Sequence, residues 1–130
     1  MRLKKQRVLI VDDNDDIRYI LSEFLLKQGF ETACAENGLE ALRLFFKYHF
    51  DLVLTDLHMP RMDGLTLAHE IRKTKPKTSI IMMTSDIWMG IQEKDFVDYI
   101  VENPFRLNEI DDMLQVALES KVQKYASCHR

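Results

Sequence analysis

Three short apolar segments of this chain end in acidic or hydroxyl residues: VLIV before Asp12-Asp13, DLVLT before Asp56, and SIIMM before Thr84. None of them alternates regularly between apolar and polar residues, which is typical of strands buried on both faces in a parallel sheet covered by helices. The carboxyl ends of parallel strands share one edge of the sheet, and ligands bind in the crevice outside that edge. The sequence therefore predicts that these acids and the hydroxyl converge on one small site.

Between these segments, strand-like and helix-like patterns alternate without a linker, an internal repeat or a low-complexity tract. Further strands are expected at 30–35, nearer an edge of the sheet because it is less apolar, and at 97–101. A helix is expected at about 64–73, and Gly29 and Asn37 stand where a C-terminal cap and an N-terminal cap are needed. This alternation predicts an α/β fold.

Only a dozen residues separate the end of the fourth predicted strand at Thr84 from the start of the fifth at Val97. A connecting helix there is expected to be short or irregular, because the crossover between parallel strands ordinarily needs about that many residues in total.

Length and charge limit the classes of protein. With 130 residues, 46% of them hydrophobic, the chain suits one domain at 7–120, between an N-terminal extension at 1–6 and a C-terminal tail at 121–130. A net charge of -3 argues against direct nucleic-acid binding, and no apolar run is long enough to span a membrane. Cys34 and Cys128 are the two cysteines, and they lack metal-ligand spacing. A disulfide framework is not expected from such a pair, so the reducing cytoplasm is the expected compartment.

Four pieces of this sequence resemble a response-regulator receiver domain of two-component signalling. They are the run VLIVDDNDDIRYIL, the run DLVLTDLHMPRMDGL, Thr84-Ser85 after a buried strand, and Asn103-Pro104-Phe105 after the last strand. The resemblance covers nearly the whole chain. It implies a flavodoxin-like (βα)5 fold, a three-layer sandwich whose five-stranded parallel sheet has the order 2-1-3-4-5.

The resemblance also implies a role for each matching residue. Asp56 matches the phosphoacceptor and Thr84 the switch hydroxyl. Asp12 and Asp13 match the acidic pair that holds Mg²⁺ (or Mn²⁺) together with Asp56, and the backbone carbonyl of His58 would complete the protein ligands. The phosphoryl donor would be a sensor histidine kinase or a phosphotransfer protein, and the signal would pass to a downstream protein. The domain would not be an enzyme beyond self-catalysed transfer to Asp56 and hydrolysis from it.

The chemistry of such a site explains the residue types without the resemblance. When a carboxylate attacks a phosphoryl group, both reactants are anionic, so a cation must neutralise the phosphoryl oxygens. Mg²⁺ prefers oxygen ligands and keeps several waters, so carboxylates and a carbonyl suffice as its protein ligands. Without a cation, close carboxylates repel one another, and at least one pKa is expected to rise.

The sequence departs from the family pattern at the end of the fifth strand. The Lys that usually precedes the Pro is replaced by Asn103, which cannot supply a positive charge, and Glu102 stands before it. The usual aromatic switch residue would fall at Ile100, with Tyr99 one position earlier, so either the strand register differs by one residue or the aromatic is absent. By resemblance, the Asn103–Pro104 peptide bond is expected to be cis.

The sequence leaves two other functions open. A receiver fold that binds partners without phosphorylation is suggested by Asn103 and by the short segment after Thr84. A metal-dependent phosphohydrolase with an Asp nucleophile has less support, because no cap domain fits in this length and basic substrate-binding residues are not apparent.

Overall fold

A computed structural model describes residues 5–86 and 96–128, with side chains described up to residue 119. Five strands and four helices follow one another in these ranges. The strands are β1 (Arg7–Val11), β2 (Glu31–Ala35), β3 (Leu52–Asp56), β4 (Ser79–Thr84) and β5 (Tyr99–Glu102). The helices are α1 (Asp15–Lys27), α2 (Gly38–Lys47), α3 (Gly64–Thr74) and α4 (Leu107–Cys128). Helix α4 thus runs well into the segment expected to be a tail.

The sheet is entirely parallel, and its strand order is β2-β1-β3-β4-β5. The predicted flavodoxin-like fold and strand order are therefore confirmed. The three interior strands β1, β3 and β4 are almost wholly buried, whereas β2 at the edge is only partly covered. This gradient explains why the sequence of β2 is the less apolar one.

Each face of the sheet is covered by two helices. On one face, α2 and α3 pack side chains such as Phe45, Leu67 and Ile71 against the strands. On the other face, α1 and α4 contribute Leu25, Leu114 and similar residues. Two apolar cores result, one on each side of the sheet.

The helices begin and end at the residues that the sequence marks. The side-chain oxygen of Asn37 accepts a hydrogen bond from the amide of Glu40 at 2.9 Å, and Asp63 and Asn14 cap α3 and α1 in the same way. Gly29 follows α1 with a φ of 97°, a left-handed conformation that glycine adopts most readily. These caps satisfy amide groups that have no partner inside a helix.

Strand β5 begins two residues later than the sequence indicates. Val97 is buried, as expected of a strand residue, but it precedes the regular pairing. The carboxylate of Asp98 accepts the amide hydrogen of Ile80 at 2.7 Å, while the amide of Asp98 donates to the carbonyl of Ile80 at 2.8 Å. The amide of Ile80 is therefore bound by a side-chain carboxylate and not by a backbone carbonyl of the neighbouring strand. Regular pairing begins at Tyr99.

Two further expectations concern the connections and the membrane. The short or irregular helix predicted between Thr84 and Val97 lies mostly at 87–95, outside the described residues. Among the helices that the structure describes, none combines the length and the apolar character needed to cross a bilayer.

Candidate functional site

The sheet brings the three predicted acids together at its carboxyl edge. Strands β1 and β3 are neighbours, and Val11 pairs with Thr55, so the residues that follow them lie side by side. One carboxylate oxygen from each of Asp12, Asp13 and Asp56 lies within 4.8 Å of the others. Asp12 is buried, Asp56 is partly buried and Asp13 is exposed, so the cluster opens to solvent on one side.

Asp12 is held in place by its own backbone and by the loop that follows. Its amide donates to the carbonyl of Ala35 at 3.1 Å, and its carboxylate accepts the amide hydrogen of Asn14 at 2.9 Å. Burial raises the pKa of Asp12 to about 6, and the nearby charges of Asp56 and Asp13 contribute in the same direction, against the lowering by the Asn14 amide. Its charged form is therefore unfavourable in the metal-free protein.

The pKa of Asp56 is raised for similar reasons. Burial is the largest cause, and the charge of Asp13 adds to it. The amide of Leu57 donates to the Asp56 carboxylate at 2.9 Å, and the exposed side chain of His58 favours its charged form, so both oppose the rise. Two of the three acids are thus held in surroundings that disfavour negative charge.

This donor set fits a small divalent cation. Carboxylate oxygens are the ligands that Mg²⁺ prefers, and an ion between them would favour the charged forms that burial and mutual repulsion disfavour in Asp12 and Asp56. The open side next to Asp13 leaves room for the waters that such an ion keeps. His58 is in the loop directly after Asp56, where its backbone carbonyl is the candidate for a further ligand.

The loop after Asp56 is folded tightly against the end of β3. The amide of Gly64 donates to the carbonyl of Leu57 at 2.8 Å, and a Cβ at this position would overlap the backbone carbonyl of Asp56. A second contact, from the amide of Gly38 to the carbonyl of Met62 at 3.0 Å, ties the same loop to the start of α2. Close backbone approach at two glycines therefore fixes the loop that follows Asp56.

Thr84 lies at the end of the neighbouring strand β4. Asp56 pairs with Met83, so Thr84 is one residue beyond the pairing and belongs to the same edge of the sheet. It is only 1% exposed, and its hydroxyl oxygen accepts the amide hydrogen of Asp86 at 2.9 Å. The structure therefore brings this hydroxyl to the edge that carries the acids.

Asn103 lies next to Thr84 on the other side. Its amide donates to the carbonyl of Thr84 at 3.0 Å, and its peptide bond to Pro104 is cis, as expected from the resemblance. Glu102 pairs with Thr84 and is exposed. Across residues 5–86 and 96–119, no Lys or Arg side chain forms an ion pair with the carboxylate cluster.

Tyr99 and Ile100 of β5 lie on opposite faces of the sheet. Tyr99 packs against the core beneath α1 and α4, whereas Ile100 packs against the core beneath α2 and α3. Counting back from Asn103 at the usual spacing places Ile100 in the aromatic position. By this count Ile100 is the residue at the aromatic position, and Tyr99 faces the other side of the sheet.

One residue at this edge was not identified from the sequence. The guanidinium of Arg18 donates from Nη1 to the carbonyl oxygen of Asp12 at 2.6 Å and also pairs with the carboxylate of Asp15. A positive charge near the N-terminus of a helix interacts unfavourably with the helix dipole. This unusual placement is the sequence feature that could have identified Arg18.

Comparison with known proteins agrees with this architecture. The sequence model of the response regulator receiver domain matches residues 8–115. Regulatory protein AtoC of Escherichia coli is 40% identical over 122 residues, which cover 91% of this chain but 26% of AtoC. Sporulation initiation phosphotransferase F of Bacillus subtilis is 32% identical over 92% of this chain and 98% of its own length. The chain thus spans about a quarter of one relative and nearly all of the other.

Solved structures share the fold. The response regulator TrrA of Thermotoga maritima, crystallised in complex with Mg²⁺-BeF, superposes with a TM-score of 0.80 at 37% identity over 86% of this chain and 98% of that chain. NtrX of Brucella abortus superposes with a TM-score of 0.89 at 28% identity over 98% of this chain and 30% of that chain. Taken with the parallel sheet and its acidic edge, these matches establish that the chain belongs to the response regulator receiver domain family.

Proposed function

We propose that this receiver domain accepts a phosphoryl group on Asp56 from the phosphohistidine of a sensor histidine kinase or of a phosphotransfer protein. The observation that carries the proposal is the placement of carboxylate oxygens from Asp12, Asp13 and Asp56 within 4.8 Å of one another. The complex of the related TrrA with Mg²⁺-BeF supports it.

Asp12, Asp13, Asp56 and the backbone carbonyl of His58 would hold Mg²⁺ or Mn²⁺. Bound there, the ion supplies positive charge to the phosphoryl oxygens. The Asn14 amide fixes the direction of the Asp12 carboxylate, at 2.9 Å, before any ion arrives. This arrangement lowers the entropic cost of binding, because one ligand is already in place.

The transfer itself needs only one nucleophile from this chain. A carboxylate oxygen of Asp56 attacks phosphorus, and the phosphorus–nitrogen bond of the phosphohistidine breaks. The electron pair of that bond stays on the imidazole nitrogen, and because the other ring nitrogen of the donor carries a proton, the donor leaves as neutral histidine. The hydrogen bond from the amide of Leu57 to the carboxylate, at 2.9 Å, orients Asp56 for attack.

Thr84 is the residue that we propose to respond to the new phosphoryl group. Its hydroxyl oxygen already accepts a hydrogen bond from Asp86, so its proton is the group that it can donate to a phosphoryl oxygen. A change in Thr84 alters signalling only if a downstream protein binds the two arrangements with different affinity. We place this exchange in the cytoplasm, which suits the free thiol of Cys34.

A direct test is incubation with Mg²⁺ and acetyl phosphate, followed by mass spectrometry of the intact protein. The expected result is a mass gain of one phosphoryl group that EDTA prevents. Beryllofluoride with Mg²⁺ is expected to shift the amide resonances around Asp56 and Thr84, and neither component alone should do so. Absence of both responses, with Mg²⁺ binding established by titration, would contradict the proposal.

The second candidate function is a receiver fold that binds partners without phosphorylation. It is favoured by Asn103 in place of the usual Lys and by Ile100 at the position where the count from Asn103 expects an aromatic residue. In that case the domain binds its partner with the same affinity whether or not acetyl phosphate and Mg²⁺ are present. Equal affinities in a protein that does gain the phosphoryl group would favour this second function.

Substitution Asn103→Lys is expected to strengthen the response of Thr84 to phosphorylation. A Lys next to Thr84 adds a cation that can pair with the phosphoryl group, which Asn103 cannot do. In the metal-free protein the same charge should raise the free energy of unfolding by at most ~1 kcal/mol, because it offsets repulsion among the acids. The measurement is the change of the Thr84 amide resonance on addition of Mg²⁺ and beryllofluoride.

The matched control is Asn108→Lys, the same change at an exposed position in the first turn of α4. It should leave the Thr84 response as in the parent protein. An Asn103→Lys variant whose Thr84 response equals that of the control would contradict the prediction.

A further inference from the structure

Arg18 is a largely buried cation beside the acidic edge. Its side chain is 16% exposed, although Arg is rarely buried without a partner. It points back along α1 toward the end of β1, the usual direction of helical side chains. Its Nη1 donates to the carbonyl oxygen of Asp12 at 2.6 Å, and its Nη2 pairs with the carboxylate of Asp15. Arg18 therefore spans the loop that carries the acidic pair.

Helix stability does not account for a cation at this place. The first turn of α1 carries Asp15 and Asp16, which suit the positive end of the helix dipole, whereas Arg18 has the opposite charge. Asp15 is 87% exposed, and ion pairs with such exposed groups contribute little. Of the two contacts that the guanidinium makes, the hydrogen bond to the Asp12 carbonyl is partly buried and the ion pair with Asp15 is exposed. A residue whose charge opposes the helix dipole, and which lies beside a candidate site, is a candidate for a role in that site.

With Arg18 included, Asp12 is fixed at three points. Its amide donates to Ala35 at 3.1 Å, its carboxylate accepts from Asn14 at 2.9 Å, and its carbonyl accepts from Arg18 at 2.6 Å. The third contact sets the plane of the peptide bond between Asp12 and Asp13. The orientation of that plane decides where the exposed carboxylate of Asp13 projects, because Asp13 follows directly on this bond.

We propose that Arg18 is a positioning residue for the divalent cation, an inference that rests on the function proposed above. By holding the carbonyl of Asp12, it orients the Asp12–Asp13 peptide so that both carboxylates reach one ion. Its charge is paired with Asp15, so the guanidinium does not occupy the carboxylates that the ion needs. Contacts behind metal ligands that act in this way commonly set the affinity of a metal site.

The test compares three variants of the full chain by calorimetric titration with Mg²⁺, far below the unfolding temperature. Arg18→Met removes both contacts and is expected to weaken Mg²⁺ binding about tenfold or more. Arg18→Lys keeps one donor for the Asp12 carbonyl and is expected to bind about threefold more weakly than the parent. Asp15→Asn removes only the ion pair and should stay within about twofold.

A second measurement uses the metal-free protein. The amide resonance of Asp13 should shift in Arg18→Met and change much less in Asp15→Asn. A purely structural role predicts something else, namely a lower free energy of unfolding in Arg18→Met with an unchanged dissociation constant for Mg²⁺. That result would overturn the inference.

The remaining outcomes are also decisive. If Arg18→Met does not fold, the inference stands or falls with Arg18→Lys, whose affinity must be lower than that of the parent. If the parent chain itself binds no Mg²⁺, the proposed function fails first and the role of Arg18 fails with it. If the parent binds Mg²⁺ and all variants bind equally well, only the role of Arg18 is refuted.

Discussion

Replacement of Asp56 by Asn is expected to abolish the mass gain from acetyl phosphate and Mg²⁺. An amide oxygen carries no negative charge and is a far weaker nucleophile than a carboxylate, so no acyl phosphate should form at this position. The fold should be retained, because the oxygen of Asn can still accept the Leu57 amide hydrogen that Asp56 accepts at 2.9 Å. The measurement is intact mass after incubation, with the unfolding midpoint recorded on the same sample.

Asp63→Asn is the matched control for this prediction. Asp63 lies on the same loop and caps α3 through a hydrogen bond from Thr66 at 2.8 Å, a task that Asn performs equally well. It should gain the phosphoryl group as the parent does. A full mass gain in Asp56→Asn would show that another residue accepts the phosphoryl group, and the assignment of Asp56 would then be wrong.

The edge of the sheet was predictable because its causes are local in sequence. Each buried strand is a short apolar run, and Asp12, Asp56 and Thr84 follow such runs directly. A parallel arrangement then forces the ends of neighbouring strands onto one edge, whatever the details of packing. Capping residues such as Asn37 were predictable for the same reason, since a cap depends on amides three residues away.

The start of β5 was not predictable, because it depends on a contact between Asp98 and a residue distant in sequence, Ile80. Val97 has the apolar character of a strand residue, and it is buried as one. One carboxylate oxygen of Asp98 accepts the amide hydrogen of Ile80, and the same oxygen forms an ion pair with Arg72 at 2.6 Å. A carboxylate that replaces a backbone partner leaves no periodic signal, so a pattern of apolar residues cannot locate it.

The role of Arg18 and the face occupied by Ile100 share this dependence on tertiary structure. The Arg18 contact joins a helix to the end of the preceding strand, and its partner is a backbone carbonyl that every residue possesses. The face of Ile100 depends on the register of β5, and a shift of one residue would reverse it. The sequence posed that alternative, and the structure adds that Ile100 pairs with Met82 and packs against the core beneath α2 and α3.

Asp12→Asn is expected to stabilise the metal-free protein at neutral pH and to destroy its response to Mg²⁺. The pKa of Asp12 rises from an ordinary 3.8 to about 6 on folding, chiefly through burial. The folded state therefore holds the proton more tightly than the unfolded state between these values. The resulting loss of stability is absent below about pH 4, grows as the pH rises and is complete above about pH 6.

The size of the gain follows from the same pKa values. The interval from 3.8 to about 6 corresponds to roughly 3 kcal/mol at neutral pH, so we expect Asp12→Asn to raise the free energy of unfolding by about 1–3 kcal/mol there. The Asn oxygen can still accept the Asn14 amide hydrogen, so the loop should keep its shape. At pH 4 the gain should be close to zero, since the parent Asp12 is then mostly protonated. Denaturant unfolding in EDTA at the two pH values measures it.

With Mg²⁺ present, the ranking of the two proteins should change. The parent gains stability because the ion binds only the folded state, whereas the variant lacks one of three carboxylates and should bind Mg²⁺ at least about tenfold more weakly. Asp16→Asn, the same change at an exposed position in the first turn of α1, should leave the effect of Mg²⁺ intact. If Asp12→Asn lowers the stability of the metal-free protein at pH 7, then Asp12 is not an unfavourable buried charge. Relief of buried negative charge would then not be the reason why a cation binds at this edge.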